Sequence, residues 1–345
     1  MQSTFDAAIL IGRFQPFHNG HAALLRETLA RAGRVILVIG SAFQARNAKN
    51  PFTWEERAAM IAASLDEASA HRVAFVPVRD YYDDRRWAAA VETGVRTELE
   101  KSGIASPRIA LAGFHKDASS YYLGIFPHWF FLAIERQGEI DATTIRQLYF
   151  NPGGNGGTAR ASLQNLVPPA VARYLDEWAA RPVFSAMQEE HRAIDAYKAK
   201  WGSGPFVTLD AVVTAANHVL LIRRKHAPGK GLWAIPGGFL EGRERLLQGA
   251  IRELKEETGL DVPEADLPSA LRGVAVFDHP DRCQRGRIIT HAHWFDLPSA
   301  NLPAIQGADD AAEARWFPID AIQGMETELF EDHFIILDRF LGGTA

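Results

Sequence analysis

The sequence predicts an α/β protein of two domains, the first of which is built on a doubly wound parallel sheet. The chain has 345 residues, more than one ordinary hydrophobic core accommodates. Its composition, 47% apolar and 23% charged, is typical of a globular protein. Apolar runs alternate with helical patterns along the first half, and this alternation favours parallel strands covered by helices on both faces.

The elements of the first domain can be assigned in chain order. The predicted strands cover residues 7–11, 34–40, 72–78, 108–113 and 129–134, and the predicted helices cover residues 22–32, 53–65 and 87–101. Thr53 followed by Glu56 is a capping box, which indicates where the second helix begins. Ligands of such sheets bind outside the carboxyl ends of the strands, so the residues after each strand are the candidates for a site.

Composition also limits the partners and the location. A net charge of −5 gives no general surface for polyanions, so nucleic acid is not an expected partner. Cys283 is the only cysteine, which excludes an intrachain disulfide and fits a reducing compartment. The first residues lack the pattern of a signal peptide, and no apolar stretch approaches the roughly 20 residues that span a bilayer. We therefore expect a cytoplasmic protein without a membrane partner, and the sequence is compatible with a homo-oligomer.

The first predicted strand leads into the segment GRFQPFHNGH, in which His18 and His21 stand three residues apart at a helix start. Backbone N–H groups at a helix N-terminus favour an anion, and two imidazoles add hydrogen-bond donors. The same two histidines could instead bind a metal or cap the helix. The full segment resembles the signature of the nucleotidyltransferase superfamily with the H-x-G-H motif. That resemblance implies transfer of a nucleotidyl group from ATP to a phosphate-bearing substrate, with release of pyrophosphate.

Later segments indicate which phosphate-bearing substrate accepts the nucleotidyl group. Gly40-Ser41-Ala42, the run Asn50-Pro51-Phe52-Thr53 and Glu56-Arg57 are similar to a pattern of archaeal-type nicotinamide mononucleotide (NMN) adenylyltransferases. Asp80 and Trp87 match the segment that holds the mononucleotide in that family, where the resemblance implies that a tryptophan stacks on nicotinamide. The alternative for Trp87 is ordinary core packing at a helix start. The segment 113–122 also resembles the family and places phosphate-sized polar groups after a strand.

Residues 140–146 resemble the second motif of this family, I-S-x-T-x-x-R. Thr143 is expected to cap a helix, and Arg146 is expected to donate to ATP phosphates in a bidentate manner. Asp141 replaces the serine of the motif and brings a negative charge near the triphosphate. The glycine-rich stretch that follows has no P-loop spacing and indicates a flexible cover or a linker. Together with Mg²⁺, the residues expected to hold the triphosphate are His18, His21, Lys49 and Arg146; the other expected substrate contacts are Gly12, Arg13, Phe14, Ser41, Asp80, Trp87 and Thr143.

The predicted domains cover residues 1–183 and 205–345, with a helical linker at residues 184–204. A Gly- and Pro-containing break at residues 201–205 indicates the boundary. The second domain begins with a predicted hairpin; its predicted strands and its last helix cover residues 206–214, 218–224, 273–277, 288–296 and 331–341.

The segment from Gly238 to Leu260 carries the chemistry of the second domain. Glu253, Glu256 and Glu257 lie at helical i, i+3 and i+4 spacing, so three carboxylates share one face. Such carboxylates repel one another, and a hard cation such as Mg²⁺ prefers oxygen ligands of this kind. The alternative is a solvated acidic helix face.

The whole spacing G-x5-E-x7-R-E-L-x-E-E-x-G-L resembles the Nudix box, which implies an α/β/α sandwich with a mixed sheet. It also implies hydrolysis of a diphosphate with the three glutamates as ligands of Mg²⁺, or of Mn²⁺ as an alternative. Glu244 and Arg252 are expected to form a structural ion pair, and Gly238 is expected to let the backbone approach a metal or phosphate. The candidates for the general base are Glu253, Asp309, Asp310 and Glu313.

The segment 277–287 resembles the FDxPxRxxRGR run of ADP-ribose-directed Nudix proteins. Its arginines, Arg282, Arg285 and Arg287, are expected to contact phosphate or adenine. A basic solvated loop is the alternative. Taken together, nearly the whole chain resembles bifunctional NMN adenylyltransferase/Nudix hydrolases, which implies ATP, NMN and ADP-ribose as substrates. The competing hypotheses are a Nudix half that senses ADP-ribose or NAD without catalysis, a Nudix half that acts on NADH, and a transferase that uses another phosphate acceptor.

Overall fold

The computed structural model describes residues 4–103, 107–113, 124–135, 140–150, 163–307 and 311–342. The chain divides into two compact units between Gln188 and Glu189. This division falls inside a long helix, α7 (Pro182–Trp201), which covers most of the range that the sequence assigned to a linker. Each unit has its own sheet.

The sheet of the first unit is parallel throughout, as the alternation of apolar runs predicts. Its strands are β1 (Phe5–Gly12), β2 (Ala32–Ile39), β3 (Val73–Pro77), β4 (Ile109–Gly113) and β5 (Phe130–Ala133). They lie in the order β3-β2-β1-β4-β5, and every adjacent pair is parallel. The order reverses at β1, so the carboxyl end of β1 is the topological switch point where ligands bind in such sheets.

Helices cover both faces of this sheet. They are α1 (Asn19–Leu29), α2 (Trp54–Ala62), α3 (Glu67–Ala70), α4 (Asp84–Lys101), α5 (Ala142–Phe150) and α6 (Pro169–Ala179). Alternate residues of β2 belong to two separate hydrophobic clusters: Val35 and Leu37 to one, Ile36 and Val38 to the other. Because side chains of a strand point alternately to opposite faces, two cores lie on opposite sides of one sheet.

Two local predictions can be compared directly. The capping box is confirmed: the Thr53 hydroxyl accepts the Glu56 N–H, and the Glu56 carboxylate accepts the Thr53 N–H. The predicted end of the first helix, at Ala32, is wrong. Ala32 is fully buried and pairs with Phe5 in the ladder between β2 and β1, so pairing in the sheet ends the helix at Leu29.

The second unit contains a mixed sheet. Its strands are β6 (Phe206–Ala215), β7 (His218–Arg224), β8 (Trp233–Ala234), β9 (Gly237–Phe239), β10 (Leu271–Phe277), β11 (Ile288–Asp296) and β12 (Ala311–Pro318). They run in the order β10-β11-β6-β7-β12, with β8 on β7 and β9 on β6. Only the β11–β6 pairing is parallel among the described strands of this sheet.

Helices cover both faces of the second sheet as well. They are α8 (Leu246–Thr258), α9 (Leu267–Ala270) and α10 (His333–Leu341), with 3-10 turns at Ile319–Gly324 and Glu326–Glu328. Phe295 of β11 shares a core with Leu254 of α8, whereas the next residue toward the N-terminus, Trp294, packs against Phe340 of α10. This arrangement is the predicted α/β/α sandwich. In the described part of the chain, no helix combines the length and apolarity that crossing a membrane requires.

Candidate active sites

The loop after β1 forms a compact aromatic and histidine cluster at the switch point. His18 is buried at the N-cap of α1, where its Nδ1 accepts the backbone N–H of His21 at 3.4 Å. The two imidazoles stack with ring centroids 3.6 Å apart, and the Phe14 ring meets His21 edge-on. Phe14 has φ of 52°, and its ring covers Gly12, where a Cβ would lie 2.9 Å from it. The sequence predicted both histidines at a helix start, and the structure places them side by side there.

Buried polar side chains tie this loop to its neighbours. The Gln15 amide donates to the Phe52 carbonyl at 2.8 Å and accepts the Phe52 N–H at 3.1 Å. Arg57 of α2 is almost fully buried and donates to the carbonyls of Arg13, Gly40 and Ser41. One guanidinium therefore holds together the backbones that follow β1 and β2.

The same region concentrates positive charge. Burial, with a smaller contribution from the charge of Arg13, lowers the pKa of Arg57 to about 10, although the nearby carboxylate of Asp80 opposes the change. Burial followed by repulsion from Arg13 likewise lowers the pKa of Arg146 to about 10, against the effect of Asp141. Guanidinium groups that repel one another at the end of a sheet provide a site for an anion such as a triphosphate.

Arg146 reaches this region from α5. Its guanidinium donates to the Gln15 carbonyl at 2.8 Å and to the Thr143 hydroxyl at 3.3 Å. The helix begins at Ala142, and the Ile145 N–H bonds the Asp141 carbonyl, so Thr143 lies within the first turn. The expectation that Thr143 caps the helix is therefore wrong, because Asp141 occupies the position before the helix.

The residues predicted to hold the mononucleotide lie after β2 and β3. Asp80 accepts the Ser41 N–H at 3.1 Å and the Ser41 hydroxyl at 2.7 Å, which joins the two strand ends. Trp87 lies in the first turn of α4, half-buried and tilted against Phe126 at 5.8 Å. Lys49 is also half-buried, in the loop before α2. Most of the predicted segment 113–122 and the glycine-rich residues 151–162 lie outside the described residues.

The helix of the second site, α8, ends where the sequence pattern places a glycine. Gly259 adopts a left-handed conformation with φ of 51°, and its N–H bonds the Lys255 carbonyl. The following Leu260 is buried in the same core as Leu254. The terminal Gly-Leu pair thus ends the helix and anchors it to the sheet.

Arg252 holds the loop before α8 against the helix. Its guanidinium makes a bidentate contact with Glu244, at 3.0 and 2.9 Å, and donates to the Phe239 carbonyl at 3.3 Å. The predicted Glu244–Arg252 ion pair is confirmed. Arg252 also contacts Glu253 at 2.9 Å and Glu256 at 2.8 Å, so it neutralises part of the acidic face.

The three glutamates differ in burial and in partner. Glu257 is buried and accepts the Gly237 N–H at 2.8 Å, whereas the Glu256 side chain is 47% exposed. Burial raises the pKa of Glu257 to about 8, despite the Gly237 N–H, and the charge of Glu253 adds to the rise. Burial also raises the pKa of Glu253, and Arg252 offsets only part of that effect. A buried carboxylate, Glu257, and a partly buried one, Glu253, thus lie close together with too little positive charge near them.

Gly238 makes room for one of these carboxylates. A Cβ at this position would lie 2.5 Å from the Glu253 carboxyl carbon and 2.7 Å from one of its oxygens. The structure places a glutamate side chain against Gly238, and the approach of this backbone to a metal or phosphate stays a prediction.

The carboxylate oxygens of Glu253, Glu256 and Glu257 are chemically suitable ligands for a divalent cation. Among the described residues, however, no group of three or more carboxylate, histidine or thiolate side chains is gathered tightly enough to hold a metal ion. Arg252 engages Glu253 and Glu256, and the Gly237 N–H engages Glu257. A hard cation would supply the positive charge that these carboxylates lack.

The arginines of the segment 277–287 have different environments. Arg282 is buried and makes a bidentate contact with Asp332, with both distances 2.9 Å. Burial acts to lower the pKa of Arg282, but Asp332 and Asp210 outweigh it and raise the pKa. Arg285 lies 3.9 Å from Glu331, and Arg287 donates to the Asp278 carbonyl. Substrate binding by Arg282 stays a prediction, and its burial favours a structural role.

The general-base candidates can be placed in part. Glu253 lies on α8 facing Gly238, whereas Glu313 lies on β12 in an ion pair with Arg315. Asp309 and Asp310 fall outside the described residues.

The contacts of three buried charged residues near the two sites escaped the sequence analysis. The spacing of charged residues gives no sign that Arg57 bonds the carbonyls of Arg13, Gly40 and Ser41. It also gives no sign that Asp332 pairs with Arg282 from 50 residues away. Asp210 is the third: it is buried on β6 and accepts the Thr290 hydroxyl at 2.5 Å, and burial raises its pKa to about 6. A charged residue inside an apolar strand was the available signal for Asp210.

Comparisons with known proteins agree with this division into two sites. The cytidylyltransferase-like family matches residues 9–147, and the NUDIX domain family matches residues 204–340. A nicotinamide/nicotinic acid mononucleotide adenylyltransferase of Acinetobacter baylyi is 33% identical over 55% of this chain and 96% of the relative. An ADP-ribose pyrophosphatase of Methanocaldococcus jannaschii is 38% identical over 40% of this chain and 73% of the relative.

A relative of known structure matches both units together. It is a bifunctional NMN adenylyltransferase/ADP ribose pyrophosphatase from Francisella tularensis, crystallised with AMP and a manganese ion. It is 33% identical, its TM-score is 0.89, and the match covers 99% of this chain and 100% of that chain. The chain therefore belongs to the family of bifunctional NMN adenylyltransferase/ADP ribose pyrophosphatases.

Proposed function

We propose that the chain carries two enzymes of NAD metabolism. The first unit transfers the adenylyl group of ATP to NMN, giving NAD⁺ and pyrophosphate, and the second hydrolyses ADP-ribose to AMP and ribose 5-phosphate. The observation that carries the proposal is the full-length match to a bifunctional relative, since both sites are present in one chain. The intact glutamates of α8 favour catalysis over sensing, because a sensor has no need of them.

In the first unit, a phosphate oxygen of NMN attacks the α-phosphorus of ATP. A new P–O bond forms, the bond between the α- and β-phosphates breaks, and pyrophosphate carries away the electron pair. No covalent enzyme intermediate is required, so catalysis consists of positioning and charge stabilisation. We assign the triphosphate to His18, His21, Lys49 and Arg146, with Mg²⁺ as the cofactor. Arg13 lies close enough to Arg146 to add positive charge to this site.

We assign the mononucleotide to the residues that follow β2 and β3. Ser41 and Asp80 form a polar wall after β2 and β3, and Trp87 offers its indole ring at the start of α4. The pyridinium ring of NMN is a cation, which an indole face attracts. Gly12 and Phe14 form the floor beside the histidines, and Thr143 orients Arg146.

In the second unit, water attacks one phosphorus of the diphosphate. The bond from the water oxygen to phosphorus forms, the bridging P–O bond breaks, and the proton of the water passes to a base. We assign this base to Glu253, because it lies against Gly238 on the acidic face of α8. Glu313 pairs with Arg315 and is the weaker candidate.

The cation that this unit binds is Mg²⁺, with Mn²⁺ as an alternative. Glu253, Glu256 and Glu257 would hold it, and it would polarise the diphosphate and offset developing negative charge. Arg252 then keeps Glu244 and the loop in place. Arg285 and Arg287 are assigned to the substrate because both are only partly buried, whereas Arg282 is buried in its pair with Asp332.

Two assays of the purified chain test this proposal. ATP with NMN and Mg²⁺ should yield NAD⁺ and pyrophosphate, and ADP-ribose with Mg²⁺ should yield AMP and ribose 5-phosphate, each separated by chromatography. Binding of ADP-ribose without turnover in Mg²⁺ or Mn²⁺ would instead identify a sensor. Faster turnover of NADH than of ADP-ribose would identify NADH as the substrate of the hydrolase. Activity only with another phosphate acceptor would show that the transferase does not use NMN.

Two further expectations accompany the proposal. ATP and NMN are intracellular metabolites, so we propose a cytoplasmic location, which fractionation of cells with an antibody would test. A homo-oligomer stays a prediction, which light scattering of the purified chain would test.

A further inference from the structure

One edge of the second sheet is formed by a strand that has a neighbour on one side only among the described strands. This strand is β10 (Leu271–Phe277), which pairs with β11 and stands last in the strand order on that side. A strand at the edge of a sheet offers its N–H and C=O groups to any chain that can lie beside it. Neither of the two proposed reactions gives this edge a role.

The side chains of β10 do little to block this edge. Val274 and Val276 are 50% and 53% exposed, and they point to the same face of the sheet because they stand two residues apart. Lysine and proline commonly block edge strands, but the strand sequence LRGVAVF contains neither. The ladder with β11 is irregular only between Leu271 and Gly273, at the start of the strand. Two apolar side chains thus lie in solvent along the open side of a regular strand.

The sequence of this edge is complementary to itself in the antiparallel direction. Arg272 precedes the two valines and Asp278 follows them, both are exposed, and both stand equally far from Ala275. When two copies of β10 lie antiparallel about a two-fold axis at Ala275, Arg272 of each copy faces Asp278 of the other. In the same register, Val274 of each copy faces Val276 of the other. Cross-strand pairs of opposite charge and of apolar side chains both stabilise a sheet.

Only this register satisfies both the charges and the valines. Moving the axis by one residue toward the N-terminus places Arg272 opposite Val276, and moving it the other way places Asp278 opposite Val274. Such a penalty for slipping specifies a register. Within one chain, Arg272 lies 4.0 Å from Asp296 in an exposed ion pair, which holds its guanidinium only weakly. The Arg272 side chain can therefore turn to a carboxylate of a second copy.

We propose that two copies of the chain form a two-fold dimer by pairing their β10 strands edge to edge. Each copy presents the same surface, so every contact away from the axis occurs twice. The partner is a second copy because the charge pattern of the strand matches its own reverse, which an unrelated strand has no reason to do. The paired edges form a small interface, so we expect a dimer that dissociates at micromolar concentrations. This interface depends on neither proposed reaction.

Charge reversal tests the interface, with the dimer measured by sedimentation of the full chain over a range of micromolar concentrations. Arg272→Asp places two carboxylates opposite each other at both ends of the paired strands, and Asp278→Arg does the same with two guanidinium groups. Each variant alone should raise the dissociation constant by about tenfold or more. An equal mixture of the two variants restores opposite charges at both ends, so its dissociation constant should lie within about threefold of the wild type. Arg315→Asp, the same change at an exposed position of the opposite edge strand β12, is the matched control.

A second variant and a check on folding complete the test. Val276→Lys puts a lysine on the open edge and should also weaken the dimer by about tenfold or more, while thermal unfolding shows that each variant is folded. A wild-type chain that stays monomeric at the highest concentration would overturn the proposal and leave the edge to a strand of another protein. Dimers of Arg272→Asp as tight as the wild type would also overturn it, as would a mixture of the two charge variants that stays monomeric. Equal weakening by Arg315→Asp would show a general effect of charge and would likewise count against it.

Discussion

Gly238→Ala tests whether the Glu253 carboxylate must occupy its present position. The added Cβ would lie 2.5 Å from the Glu253 carboxyl carbon, about 1 Å inside a normal van der Waals contact. The carboxylate must therefore move by roughly 1 Å or more, and a displacement of that size can cost about a hundredfold in rate. We expect kcat for ADP-ribose hydrolysis to fall by about that factor, while NAD⁺ synthesis is unaffected.

Gly242→Ala is the matched control, because a Cβ there has no atom within 4 Å among the described residues. Both variants are assayed for hydrolysis over a range of Mg²⁺ concentrations, and thermal unfolding confirms that each is folded. Hydrolysis by Gly238→Ala at the wild-type rate would refute the reasoning. So would an equal loss in Gly242→Ala, since that change leaves the carboxylate untouched.

Three further predictions concern buried charges. Arg57→Met leaves three carbonyls without their donor, so the first unit should lose about 3 kcal/mol or more in free energy of unfolding, measured with denaturant. Arg282→Met should cost the second unit about 3–5 kcal/mol, because Asp332 stays buried without its partner, whereas Arg315→Met, at an exposed pair, should cost about 1 kcal/mol or less. Equal losses of unfolding free energy in Arg282→Met and Arg315→Met would contradict this expectation. Glu257→Gln should stabilise the metal-free protein increasingly as pH rises from about 4.5 to about 8, because over this range the folded wild type keeps a proton that the unfolded chain releases. A difference in unfolding temperature that is independent of pH, measured in chelator, would argue against the raised pKa.

Much of the first unit could be predicted from local sequence. The central strands β1 and β2 are short apolar runs, as strands buried on both faces must be. The first ends at Gly12, and the second is followed by Gly40. The Nudix helix could also be predicted from the sequence, because Gly259, Arg252 and the glutamates each serve a local structural role at a fixed spacing. Local signals of this kind depend on neighbours within one or two helical turns.

Contacts over long sequence separations could not be predicted. Arg282 looked like a substrate ligand, but its partner Asp332 comes 50 residues later, and no spacing rule links the two. The strand Ala311–Pro318 was missed because its burial does not alternate regularly along the sheet edge. Tyr197 was assigned to a linker because its ring contacts Phe239 only after the sheet has formed. The contacts of these residues are determined by the tertiary structure.

The central claim is that one chain holds two independent active sites, and reciprocal variants test it most directly. NAD⁺ synthesis and ADP-ribose hydrolysis are both measured on His18→Ala and on Glu257→Gln, with unfolding temperatures as the check on folding. We predict that His18→Ala abolishes synthesis and spares hydrolysis, and that Glu257→Gln does the reverse. Loss of both activities in either folded variant would contradict the claim.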